Sequence, residues 1–125
     1  MSIMWFDSEK KNKNKIATIY DTNITLNKSA CEILCDAYKV MLGIDYDNKS
    51  LFIKPLNKDM STRGTIPISS QYNITIRSSY GRISNVEFVK EVKNLLGVNS
   101  LKDNPKKFHV EYQSDFLKID LLKEV

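Results

Sequence analysis

From Ile16 onward the chain alternates apolar and polar residues in short runs, and twice the period changes from two to about 3.6. KIATIY, at 15–20, predicts a strand, DTN a turn, and ITL a short extended piece. Asn27 is placed to cap a helix over 28–37 whose apolar face holds Ala30, Ile33, Leu34 and Ala37. In the stretch that follows, Val40, Leu42, Ile44 and Tyr46 point one way. Residues 47–50 turn the chain, and Leu51 and Ile53 continue the apolar face on the return strand until Pro55. NKDMSTRGTIPISSQ, at 57–71, is polar and punctuated by Gly64 and Pro67, as a linker is. YNITIRS then resumes the strand pattern.

The second half repeats the order. Ser84 and Glu87 have the spacing of a capping box. Phe88, Val89, Val92, Leu95 and Leu96 share one helical face, and Gly97 stands where a helix ends in a left-handed residue. Beyond Pro105, Phe108, Val110 and Tyr112 are expected to face inward, Ser114 and Asp115 to turn, and Leu117, Ile119 and Leu121 to face inward again. GIDYDNKSLFIKPL, from Gly43, aligns without a gap on HVEYQSDFLKIDLL, from His109, and Tyr46 matches Tyr112. The expected fold is therefore α+β and mostly β. Two tandem β-α-β-β repeats, 16–56 and 72–125, pair into one barrel-like or sandwich-like core with two short helices, preceded by an arm at 1–15 and joined by a linker at 57–71. Two such halves would pack about a pseudo-two-fold axis, as a monomeric pseudo-dimer or a homodimer of such chains.

Composition adds limits. At 125 residues with 42% hydrophobic residues, the chain has apolar surface enough for a core. No stretch has the roughly 18 apolar residues of a membrane span. MSIMWFDSEKK lacks the pattern of a signal peptide, so a cytoplasmic location is expected. Cys31 and Cys35 share one helix and are expected to be free, buried thiols. The net charge of +4 permits an anionic partner without requiring one. The abundance of lysine, asparagine and isoleucine points to a bacterial or mobile-element genome.

GRIS at 81–84, a short helix ending LLG at 95–97, and an alternating hairpin together resemble the AbrB/SpoVT swapped-hairpin domains. ITLNKSACEIL followed by VMLGIDYDNKSLFIKP resembles the same unit without the Gly-Arg pair, and two units in one chain resemble the arrangement of MraZ proteins. The resemblance implies an intertwined β-barrel and DNA binding in transcription regulation.

Candidate chemistry is sparse. His109 is the only histidine and lies on an outward strand position, and no phosphate-binding glycine loop is present among four glycines. Neither a catalytic constellation nor a metal or cofactor site is expected. For double-stranded DNA, the candidate contacts are Arg82, Arg77, Arg63, Lys15 and Lys28, gathered near the loops that open the halves, with Tyr80 able to pack on a sugar or base. The alternative is a protein-interaction module without enzymatic activity, anchored by Trp5, Phe6, Phe52 and Phe116.

Overall fold

In the computed structural model the described residues are 14–125. Trp5 and Phe6, and all but the end of the expected arm, lie outside the described residues. Among the described residues, eight strands form one antiparallel sheet that curls into a half-barrel. In chain order they are β1 (Ile16–Ile19), β2 (Ile24–Asn27), β3 (Lys39–Asp45), β4 (Ser50–Leu56), β5 (Thr75–Ile76), β6 (Tyr80–Ile83), β7 (Lys106–Gln113) and β8 (Phe116–Glu124). In space their order is β3-β4-β8-β7-β1-β2-β6-β5. Three α-helices among the described residues accompany them: α1 (Lys28–Cys31), α2 (Lys58–Thr62) and α3 (Val86–Leu96).

Alternation along the strands decides the two faces. Ala17, Ile19, Ile24, Leu26, Leu51, Ile53, Leu117 and Ile119 are fully buried on the inner face, joined by Phe108 and Ile83. Val89 and Val92 of α3 complete that core. The stretch from Tyr72 to Ile76 touches both ends of the sheet. Tyr72 exchanges two backbone hydrogen bonds with Val40 of β3, at 2.8 and 2.9 Å, while Thr75 and Ile76 pair with Arg82 and Gly81 of β6. An otherwise open edge at β3 is thereby partly covered.

The helices sit at opposite ends of the curled sheet. At one end α3 is tied to the β1–β2 turn, where the Oδ1 atom of Asp21 accepts from Lys93 Nζ at 3.1 Å, from the Leu101 amide at 2.9 Å and from Ser100 Oγ at 3.3 Å. At the other, the Tyr112 hydroxyl, at the end of β7, donates to the Ser29 carbonyl of α1 at 2.6 Å.

Several local expectations change. The capping box does not form, because Ser84 follows directly on β6 in the run toward the cap and Asn85 Oδ1 accepts from the Phe88 amide at 3.0 Å. The helix expected over 28–37 is one α-turn followed by a 3-10 turn at Glu32–Leu34. Cys31 and Leu34, three residues apart, both reach the core, and a 3-10 turn aligns that spacing. Asn27 caps it as expected, accepting from the Ala30 amide at 2.9 Å. The linker contains α2, capped by Asn57 and unexpected because no apolar periodicity marks it. The helices among the described residues are therefore three, where two were expected. Tyr46 and Tyr112 are 57% and 39% exposed, since each lies at a hairpin end beyond the packed part of the sheet. Cys31 is buried, but Cys35 is exposed and both are free.

Candidate nucleic-acid interface

Antiparallel partners point to the same side of a sheet, so the registers assign the outer face residue by residue. Lys107 pairs with Thr18, Thr18 with Thr25, Thr25 with Arg82, and Arg82 with Thr75. These five form a polar strip across β7, β1, β2, β6 and β5. At about 4.8 Å per strand, Lys107 and Arg82 stand about 14 Å apart. β1, β2, β5 and β6 contain no carboxylate. The single acid of the β1–β2 turn, Asp21, faces Lys93. Its carboxyl is held below its ordinary value, first by the Leu101 amide and then by the Lys93 ammonium.

Arg82 is exposed and forms no salt bridge among the described residues; its guanidinium lies 5.2 Å over the Tyr80 ring. Both side chains line a cleft of about 420 Å³ together with Tyr20, Asn23 and Thr25. The cleft lies over the paired strands β2 and β6, beside the β1–β2 turn. That turn is fixed by the Tyr20 amide donating to the Asn23 carbonyl at 2.8 Å. The Thr25 hydroxyl donates to Asn23 Oδ1 at 3.1 Å.

The other expected cations divide. The Arg77 amide donates to the Tyr80 carbonyl at 2.8 Å, which closes the β5–β6 turn, and the Arg77 side chain is exposed. Lys15 and Lys28 share one corner. The Lys15 ammonium lies 4.6 Å from the Tyr112 ring centroid, and Lys28 opens α1, the helix whose Ser29 carbonyl that tyrosine bonds. Arg63 is not brought into this group: it caps the end of α2, which packs near β4, and is paired with Asp59 four residues earlier.

Phe52 and Phe116 lie at the opposite end of the outer face. Their rings meet edge to face, with centroids 5.5 Å apart and an interplanar angle of 81°. They line an apolar groove of about 280 Å³ with Met41, Leu42, Gly43 and Lys54. The outer face thus has an apolar end and a polar end whose Arg82 and Lys107 form no salt bridge among the described residues.

Tyr20, Asn23, Thr25, Thr18 and Lys107 were absent from the sequence-based candidates. They join Arg82 only through the pairing of β1, β2, β6 and β7, which local periodicity does not specify. The available indication was the run of outward strand positions without an acid. Among the described residues no group of three or more His, Cys, Asp or Glu side chains is placed to hold a metal ion. Burial pushes the Cys31 thiol above its ordinary value, which disfavours the nucleophilic thiolate.

No protein-family model matches the chain, and the curated proteins and solved structures yield no match either.

Proposed function

We propose that this chain is a small nucleic-acid-binding protein that acts by binding rather than by chemistry, with the polar end of the outer sheet face as its contact surface. The observation that carries the reading is Arg82, exposed and without an acidic partner among the described residues, its guanidinium over the Tyr80 ring in a strip free of carboxylates. Cations so placed are available to phosphate oxygens, which supply most of the affinity for nucleic acid. Duplex DNA, and a role in transcription regulation, are what the resemblance to swapped-hairpin regulators implies. No helix among the described residues is long and apolar enough to cross a membrane.

The duplicated, pseudo-dimeric architecture belongs to the same proposal and has two supports. The matched strands β4 and β8 lie side by side, with Leu51 opposite Ile119 and Ile53 opposite Leu117. The matched tyrosines each reach the other half's helix: Tyr112 bonds Ser29 of α1, and the Tyr46 hydroxyl lies 3.4 Å from Glu91 of α3. Each hairpin end thus meets the helix of the opposite half, as it would if two like units had exchanged hairpins.

Fluorescence anisotropy with a mixed-sequence DNA duplex tests the reading at about 50 and about 200 mM salt. Binding that weakens steeply with salt is expected. Arg82→Ala is expected to weaken it about equally on unrelated sequences and to lower the salt slope by about one. Absence of binding at the lower salt, or binding indifferent to Arg82, would contradict duplex DNA at this face. A second reading, a protein partner, is favoured by the apolar groove at Phe52 and Phe116. In that case Phe52→Ala abolishes association with the partner while Arg82→Ala leaves it intact.

A further inference from the structure

The cleft beside Arg82 has a shape that phosphate binding alone does not need. A duplex meets a protein chiefly through phosphates and groove edges, and its base faces are hidden in the stack. Contact with a duplex backbone therefore needs cations on a surface, with no recess beneath them. Here the cation lines an open cleft of about 420 Å³ together with two tyrosines, an amide and a hydroxyl. That size lies within the roughly 300–1,000 Å³ range of small-ligand sites.

The polar inventory of the recess matches a nucleotide. Asn23 Oδ1 already accepts from Thr25, so its Nδ2 keeps its donors for a base edge, with no bond to another described residue. The Thr25 oxygen, its proton already given to Asn23, can accept, and the two phenols can accept or donate. Tyr20 is 39% exposed and offers a ring, while Arg82 and the Tyr80 ring beneath it present a cation beside a second ring. Aromatic rings, free amide donors and a guanidinium in one recess correspond to the face, the edge and the phosphate of a single unpaired nucleotide. The strip continues from the recess through Thr25 and Thr18 to Lys107, about 14 Å away by strand spacing, where a second phosphate of the same strand would find a cation.

We infer that this cleft takes an unpaired nucleotide of a single-stranded nucleic acid, with the base against Tyr20, its edge on Asn23 and Thr25, and its phosphate on Arg82. The inference rests on the nucleic-acid reading of this face and names the form of nucleic acid that the site selects.

The test compares one mixed-sequence oligonucleotide as a single strand and as a duplex, by anisotropy on the full chain, with mixed mononucleotides as competitors. The single strand is expected to bind about 10-fold or more tightly than the duplex, because each stacked base adds affinity that a closed duplex cannot supply. Tyr20→Ala and Asn23→Ala are expected to lower single-strand affinity toward that of the duplex and so remove most of the preference, and Tyr20→Phe to keep it. Thermal melting confirms that the variants fold. Equal or tighter duplex binding, with Tyr20→Ala silent on both forms, overturns the unpaired-nucleotide site and leaves the nucleic-acid reading standing. Competition by mononucleotides as strong as that of the oligonucleotide overturns the strand and assigns the cleft to a free nucleotide. Binding of neither form removes both readings.

Discussion

At Gly81, strand β6 passes so close beneath α1 that an added Cβ would lie 3.1 Å from the Cys31 Cβ and 3.2 Å from the Ile76 Cδ1. The Ile76 Cδ1 ends its side chain and can turn aside, but the Cys31 Cβ is bonded directly to the α1 backbone and cannot move without it. Cys31 is buried on α1, whose cap Asn27 pairs with Tyr80 on the same strand. Gly81→Ala is therefore expected to destabilise the fold by about 1–3 kcal/mol, the usual range for overpacking, as measured by urea unfolding. A variant as stable as the parent would mean that α1 lifts without cost. The next residue, Arg82, points to the opposite side of the strand. The Gly-Arg pair thus divides its work: the glycine lets α1 approach the inner face and the arginine serves the outer one. The pair could be picked out in the sequence, but the reason for the glycine could not, because Cys31 lies fifty positions earlier.

Among the elements, α3 was the most legible from sequence. Its apolar arc, its length and Gly97 at φ +73° agree with the pattern, and Val89 and Val92 are buried as that arc requires. Only its start was misplaced, by one residue. Two adjacent side chains were able to cap, and the end of β6 at Ile83 holds Ser84 too early for the role. Asn85→Ala is expected to cost about 1 kcal/mol in urea unfolding, and Ser84→Ala less than about 0.5 kcal/mol; the reverse order would restore the capping box. Both hairpins were equally legible, since alternation and turn residues are local. By contrast α2 has no buried residue, so no apolar period could announce it. The shortness of α1 was hidden for another reason: the chain must return to β3 at Lys39, a demand set by the sheet rather than by helix propensity.

For the molecule as a whole, what the sequence left open was which strands are neighbours. The strip from Lys107 to Thr75 joins residues up to 89 positions apart, and it exists only because β1 lies between β7 and β2. Asp21 binds that arrangement together, holding the β1–β2 turn to α3 and to the loop that carries buried Leu101. Its carboxyl titrates below its ordinary 3.8 in the folded protein, so the unfolded chain takes up the proton first as pH falls. The stabilisation is complete above about pH 3.8 and is lost as pH drops through the lower folded value. Melts of the parent and Asp21→Asn should accordingly differ most near neutral pH and converge in acid. A gap that stays constant down to about pH 3 would show that the charge is not what holds the turn.

The central claim is that the polar end of the outer face, rather than the apolar end, is where this protein meets its partner. It is tested most directly by following backbone amide resonances of the ¹⁵N-labelled chain as a mixed-sequence oligonucleotide is added. The account predicts that shifts concentrate at Tyr20, Asn23, Thr25, Tyr80 and Arg82, fade toward Lys107, and leave Gly43 and Phe52 unmoved. Shifts centred on Gly43, Phe52 and Phe116, or none at all, would contradict it.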